Sequence, residues 1–436
     1  MIGRLKDKLR ASALVDKALR YNLITYTRTR SLLDKLSKSN ATDTAKIIDR
    51  LKHDILKAAR QTRYGADKPT SLAQWPILEK TAIRQNAGDF MRSSLFSVAA
   101  STGGSSGIPL TLRRSVTSVA VEQAFIDALI KPFGLQMGSA RVAVLRADEI
   151  KALEDNNPPY GVYRNGGRRL ILSNAHLNKH SLDWFVTELS EFKPDLIWVY
   201  PSMLVNLIKL MQDAQLRLNI PLVLTSSEMI SATEISLIER TLGCVLIDYY
   251  GQGERLCFAA RDFDGQYWFQ PAYGFVELLR TTPTSDTAEV IATGYWNKLM
   301  PLIRYRTGDL AKLPADATDD DLLKIAAGQA PFEGIVGRVN EYIVTADGGK
   351  VGGLNHLPRG VANLIQMQVI QHDYDRLTFK ILTDTGFDES NQQALNSNIA
   401  QLIPPSIETE VKIVNELESL PNGKRPFVIR KLEAQS

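Results

Sequence analysis

The sequence predicts an α/β protein in two parts: a large domain of helix-covered β-sheets with a helical lead, then a small, mobile α+β C-terminal domain. Three observations predict it. Between residues 141 and 250 short apolar runs alternate with amphipathic ones. The first 95 residues carry apolar side chains at helical spacing, and the glycines of DGGKVGG separate what precedes from a fresh mix of strand and helix patterns.

In the lead, Leu32, Leu33 and Leu36, and then Ile47, Ile48, Leu51, Ile55 and Leu56, recur with helical spacing until Pro76 breaks the pattern in WPILEK. Strands are expected at 142–145, 170–172, 196–200, 221–225 and 244–248, with helices at 181–192, 202–217 and 231–242 between them. Ser231 and Glu234 stand in capping-box spacing at the start of the last helix. This β-α-β rhythm argues for a mainly parallel sheet whose ligand sits beyond the carboxyl ends of the strands. AEVIATGYW and PLIRYRTGDLAKL are spaced as antiparallel strands. The large domain is expected over 1–337, its lead over 1–95, and the small one over 338–436. In the latter, MQVIQHDYDRLTFKIL reads as two strands about a turn at HDYD, and SNQQALNSNIAQLI as a helix.

A chain of 436 residues exceeds the usual single core, and 44% hydrophobic with 23% charged residues is a globular balance, which excludes disordered, fibrous and coiled-coil classes. The net charge of +4 is unevenly spread: the first forty residues hold ten lysines and arginines against three aspartates. A basic helix of this kind serves either as a solvated face packed on its domain or as a contact for an anionic membrane or acidic partner. Nucleic acid is not an expected partner. Two cysteines, Cys244 and Cys257, make no disulfide framework, and Cys244 is expected as a buried thiol in a reducing, cytoplasmic setting. No uncharged apolar run reaches membrane-spanning length.

Four stretches carry chemistry. STGGSSGIPL (101–110) lets successive backbone N–H groups turn toward one anion while Ser101, Thr102, Ser105 and Ser106 add hydroxyl donors; taken alone it reads first as an ordinary surface turn, and it is not a Walker motif. YYGQGERL follows a strand directly, so Tyr250, Gly251 and Glu254 fall on a strand-end loop, where an aromatic can stack on a base and a carboxylate can hold Mg2+. YRTGDL sets Asp309 after a glycine turn, as a carboxylate that accepts ribose hydroxyl protons would be. LPNGKRPF puts Lys424 on a loop as a movable cation. His176 and His180, four apart, have no third ligand nearby in sequence and are expected in surface or capping roles.

Taken in order, STGGSSGIPL, VYPSML, LTSSEMIS, YYGQGE, YRTGDL, EGIVGRVNEYIV and the terminal NGK resemble the adenylate-forming superfamily of acyl-CoA synthetases, peptide-synthetase adenylation domains and luciferases. The likeness is strongest to its phenylacetate-CoA ligase and capsule-biosynthesis branch and covers nearly the whole chain. The resemblance implies a large adenylate-forming domain with a small mobile one, and a ligase using ATP, Mg2+ and coenzyme A. A carboxylic acid would attack the α-phosphate of ATP, and the acyl-adenylate would pass to a thiol. It also implies roles: Ser101, Thr102, Gly103, Gly104, Ser105, Ser106 and Gly107 for the phosphates; Ser227, Glu228 and Tyr250 around the adenine; Tyr249, Gly251, Gln252 and Arg338 for the nucleotide; Asp309 for the ribose; Asn340 as the hinge; Glu254, through Mg2+, and Lys424 as the catalytic residues.

The chain departs from the family pattern at Ile108, where many members have lysine, at Gly253, where a Thr or Ser hydroxyl usually meets the α-phosphate, at Asn340, and at TADGGKVGG, which replaces an arginine-glycine pair after the hinge. These departures keep two further readings open: transfer to an amine or hydroxyl acceptor, and a nucleotide-binding homologue without catalysis.

Overall fold

The computed structural model describes residues 13–432 apart from 95, 102–109, 147, 149, 153, 229, 231, 281–285, 337–341, 348, 352–353, 355–356, 359, 384–385, 415–416 and 419–426. The lead forms α1 (Ala13–Arg20), α2 (Leu23–Leu36) and α3 (Ala41–Ala59). Asn22 and Asn40 cap the second and third by accepting from the first free amides. Helix was expected as far as Pro76, but it stops at Ala59. Thr62 Oγ1 donates to the Ala59 carbonyl, and Gly65 packs so tightly on that carbonyl that a Cβ would lie 2.1 Å from it. The chain then runs through turns to the short α4 (Lys80–Gln85).

A hairpin follows, β1 (Val98–Ser101) paired antiparallel with β2 (Thr111–Arg114), and then α5 (Val116–Ile130), capped by Ser115. The main sheet is built from β3 (Val142–Arg146), β4 (Gly161–Arg164), β5 (Arg169–Ser173), β6 (Leu196–Val199), β7 (Leu222–Ser226), β8 (Val245–Gly251), β9 (Phe258–Arg261) and β10 (Tyr267–Phe269). Its order is β10-β9-β8-β7-β6-β3-β5-β4, with the five central strands parallel and the edges antiparallel. The expected parallel sheet is therefore present, with α6 (Leu182–Phe192), α7 (Pro201–Asp213) and α8 (Ala232–Leu242) on one face and α5 on the other. Ser231 lies outside the described residues.

A second sheet runs β11 (Gly274–Arg280), β12 (Thr287–Gly294), β13 (Tyr305–Lys312) and β14 (Gly334–Val336), antiparallel throughout, with α9 (Asp319–Ala326) packed on it. Gly274 and Gly294 face each other across β11 and β12. The backbone of Arg255 and Leu256 lies directly on this pair: a Cβ on Gly274 would be 1.8 Å from the Leu256 carbonyl oxygen, and one on Gly294 2.5 Å from that of Arg255. Residues 343–430 gather around a core of their own, with sheet order β19-β18-β17-β20 from β17 (Leu364–Asp373), β18 (Arg376–Thr383), β19 (Glu408–Ile413) and β20 (Val428–Arg430), the helix α10 (Glu389–Leu402), and a short hairpin of β15 (Ile343–Val344) and β16 (Lys350–Val351). Asp373 to Arg376 make the turn expected at HDYD.

Three local expectations change. Cys244 is only half-buried and Cys257 is the enclosed thiol; both are free, and burial pushes both up to about 12. His176 is buried rather than at the surface: its Nδ1 sits 2.7 Å from Ser173 Oγ and its ring stacks on Tyr160. His180 is exposed. Among the described residues, no helix is long and apolar enough to cross a membrane, and no group of three or more His, Cys, Asp and Glu side chains could hold a metal.

Asp248 on β8 is a buried carboxylate that accepts from Thr225 Oγ1 at 2.6 Å and Tyr267 Oη at 2.7 Å. Burial outweighs these donors and pushes its carboxyl up to about 6. Between pH about 4 and 6 the native state thus holds a proton that the unfolded chain has released, so this contribution to stability falls as pH rises, by about 3 kcal/mol in all. Asp248→Asn has no charge to bury, and either hydroxyl can turn to accept from the amide. Urea midpoints from pH 4 to 7 should show the variant gaining on the wild type through this window and then running parallel; a constant difference counts against the assignment. Gly274→Ala forces two backbones apart and should cost about 3 kcal/mol in the same assay, whereas alanine at Gly88, whose nearest neighbour would be 3.6 Å away, should cost far less.

Candidate active site

The site is organised by the carboxyl end of β8. Successive side chains of a strand point to opposite faces. Tyr249 accordingly turns into the α5 side, where its ring stacks on Phe258 at 5.2 Å, and Tyr250 turns toward the second sheet. The two tyrosines thus cannot flank the same group, although the sequence sets them side by side.

Tyr250 Oη donates to Asp309 Oδ2 at 2.6 Å and accepts from Gln252 Nε2 at 2.5 Å. Burial and the neighbouring Asp309 hold the phenol well above its ordinary pKa, so it stays protonated and remains the donor. Gln252 spends its other atom on the loop that follows, accepting from the amides of Leu256 and Cys257. The expectation that Asp309 follows a turn needs correction: it lies inside β13. Register shifts between Glu289 and Ile291, giving β13 extra residues opposite Val290. Gly308 supplies the left-handed φ of +78° that this bulge needs, and Thr307 Oγ1 closes it by donating to Val290 O and accepting from Asp309 N at 3.0 Å. The bulge re-aims the carboxylate toward Tyr250.

Glu254, just past Gly251 and Gln252, makes the second link between the sheets. Its Oε1 accepts from Tyr305 Oη at 2.9 Å, and both residues are buried. Gly253 presents its carbonyl to the guanidinium of Arg114, at 3.2 Å from Nε and 2.5 Å from Nη2. Burial and the nearby Arg255 lower that guanidinium to about 10, still charged at neutral pH. Arg255, at φ +59°, is fastened to α5 through Ser118 O and faces Glu122 at 3.8 Å.

Arg114 ends β2, so its bond ties the hairpin of β1 and β2 to the Glu254 loop. Ser101 and Thr111 pair at the hairpin's far end, where residues 102–109 begin and end, and Leu110 packs in the same core cluster as Tyr305 and Leu256. Both flanks of STGGSSGIPL therefore rise from the core that holds Tyr250. The loop itself, Thr102 to Gly107, lies outside the described residues, as do Arg338, Asn340 and Lys424.

On the other side of β8, Ser227 follows β7 with a φ of +73°, a strained conformation for a residue with a Cβ. Arg146 Nη2 donates to its hydroxyl at 3.0 Å. The Arg146 guanidinium lies 4.5 Å from the rings of both Trp198 and Tyr200. Glu228 is the next residue and is half-buried. Arg114, Arg146 and Tyr305 were not singled out from sequence. Arg146 had a signal, as the last residue of a parallel strand; the residue type of Tyr305 carries none.

A family model described as the CapK C-terminal domain matches residues 343–431. Protein CapK of Staphylococcus aureus is 22% identical over 376 residues, 83% of this chain and 81% of that protein. Phenylacetate-coenzyme A ligase of Pseudomonas putida is 23% identical over 294 residues, 63% of this chain and 57% of that protein. In fold, the chain matches a crystal structure of 2-hydroxyisobutyryl-CoA ligase in complex with 2-HIB-AMP and CoA, with a TM-score of 0.52 and 15% identity over 90% of this chain and 91% of that one. With its strand-end tyrosine and loop glutamate each bonded to the second sheet, the chain is similar along most of its length to CapK, over part of it to phenylacetate-coenzyme A ligase, and matches the CapK C-terminal domain over residues 343–431.

Proposed function

We propose that this protein activates a carboxylic acid with ATP and passes the acyl group to coenzyme A. The observation that carries the reading is the Tyr250–Asp309 bond, which joins an aromatic at a strand's carboxyl end to an acid from the second sheet, beside Glu254 and at the foot of the hydroxyl- and glycine-rich loop.

In the first step a carboxylate oxygen of the acid forms a bond to the α-phosphorus of ATP, and the bond to pyrophosphate breaks. In the second the thiolate of coenzyme A bonds to the acyl carbon, and AMP leaves. Ser101 to Gly107 would hold the β- and γ-phosphates through amides and hydroxyls. Ser227, Glu228 and Tyr250 would border the adenine. Asp309, fixed by one oxygen to Tyr250, would accept from ribose hydroxyls with the other. Arg338 would meet the nucleotide and Asn340 would let the small domain, 338–436, turn. Lys424 would supply positive charge at the α-phosphate as it gathers negative charge.

Glu254 suits Mg2+, a hard cation that takes one or two carboxylates plus substrate phosphates; Tyr305 fixes Oε1 and so sets the direction of Oε2. The ion would neutralise phosphate charge there. Gly253 offers no hydroxyl, and its carbonyl is turned to Arg114. On this reading the protein works in the cytoplasm, where its two thiols stay reduced.

A second reading, transfer to an amine or hydroxyl, is favoured by one observation. Where the family has an arginine-glycine pair after the hinge, this chain has the tight hairpin of β15 and β16, closed by Thr345 N donating to Gly349 O at 2.9 Å.

Acid-dependent exchange of labelled pyrophosphate into ATP tests the first step. Lys424→Ala should abolish exchange with ATP binding nearly intact, and full exchange in that variant refutes the lysine's role. Asp309→Ala should raise the KM for ATP more than it lowers kcat. Glu254→Gln should slow exchange by about a hundredfold. Tyr250→Phe keeps the ring, removes the donor and should cost about 1–2 kcal/mol of stability by urea titration as well as affinity for ATP. Thioester and AMP appearing on addition of coenzyme A would support the first acceptor; AMP released only with an amine or alcohol would support the second.

A further inference from the structure

A cavity of about 240 Å3 lies between α1, α5 and the turn that joins β4 to β5, with Trp198 of β6 in its wall. Among the described residues its lining includes four basic ones, Lys17, Arg20, Arg168 and Arg169, and no acidic one. None of the residues carried over for the nucleotide lines it. The nearby buried acid, Asp127, accepts from Tyr26 Oη, Gln123 Nε2 and the Met137 amide, at 2.6, 3.2 and 2.9 Å.

Three features make this more than a basic surface. Trp198 presents a buried Nε1–H that meets no acceptor among the described residues. The Arg169 guanidinium lies 5.7 Å from the same ring, and that of Arg146 at 4.5 Å, so two cations crowd one indole. Tyr21 closes the wall by packing on Gly138, where a Cβ would stand 2.8 Å from its ring. A buried donor that meets no acceptor, beside two guanidiniums, is a cost that a bound anion relieves. The volume falls just below the roughly 300 Å3 at which small-molecule pockets begin, which suits a compact ligand and not a nucleotide.

We propose that this cavity binds a compact organic anion with at least two negative charges on a flat or apolar body. The charge meets the four cations, and the body lies against Trp198, Tyr21 and Met137. Such a ligand is either the acid that is activated or a separate acidic metabolite.

Calorimetric titration of the full chain, without ATP, with benzene-1,3-dicarboxylate and with phenyl phosphate tests it. Saturable one-to-one binding is expected, weakened about tenfold in the double variant Lys17→Ala, Arg168→Ala, whose side chains are exposed and so spare the fold. Trp198→Phe keeps the ring and removes the N–H, and should weaken binding as well, which a diffuse basic surface would not show. No saturation, or affinity unchanged in both variants, overturns the proposal. Pyrophosphate exchange with the same anion as sole acid assigns it as the activated acid; binding without exchange assigns it as a separate ligand. Asp309→Ala should lose ATP and keep the anion, so failure of the nucleotide reading leaves this result standing.

Discussion

The structure depends on one contact between backbones: the loop of residues 252–257 lying on the facing glycines Gly274 and Gly294. Only because neither glycine has a Cβ can the second sheet come close enough for its side chains to reach across. Tyr305 then meets Glu254, and Asp309 meets Tyr250, at ordinary hydrogen-bond distances. Remove that closeness and both carboxylates lose the partners that orient them. A buried carboxylate is tolerable only when it is hydrogen-bonded, so the packing of two glycines and the chemistry of two acids are one arrangement.

The same loop also receives the hairpin. Arg114 donates to Gly253 O from the end of β2, and Arg255 is fastened to Ser118 O on α5. Main sheet, second sheet, hairpin and helix therefore converge on six residues. That convergence explains why a loop, normally the freest part of a fold, is held by bonds from four directions. It also explains why Gln252 is spent on internal bonds: its amide fixes the amides of Leu256 and Cys257 as well as the Tyr250 hydroxyl.

Much of this was legible in the residues. The apolar runs at 142–145, 196–199 and 246–248 lie in strands whose side chains are buried or nearly so on both faces, and helix-covered parallel sheets leave that mark. Tyr250, Glu254 and Asp309 were legible through motif and order. What escaped depends on tertiary contact. The end of helix at Ala59 follows from a glycine packing on a carbonyl three-dimensionally close to it, and apolar periodicity carries no sign of that. The placing of Asp309 inside a strand follows from a bulge opposite Val290, which only pairing reveals. Cys244 and His176 exchanged their expected burial because Cys244 stands just before the start of β8 and His176 in a short turn, and position rather than residue type decides exposure there.

The alternation of β8 has a consequence for how charge is distributed. Tyr250 and Asp248 lie on one face and Tyr249 on the other, with Trp198 and Arg146 on the side of Tyr249. Asp309, which reaches Tyr250 from the second sheet, is thus on one side of the strand, and the arginines that crowd Trp198 are on the other. A sheet keeps them apart, so neither neutralises the other. One strand of seven residues separates the two neighbourhoods, and on the side of Tyr249 Arg146 reaches from Trp198 to Ser227.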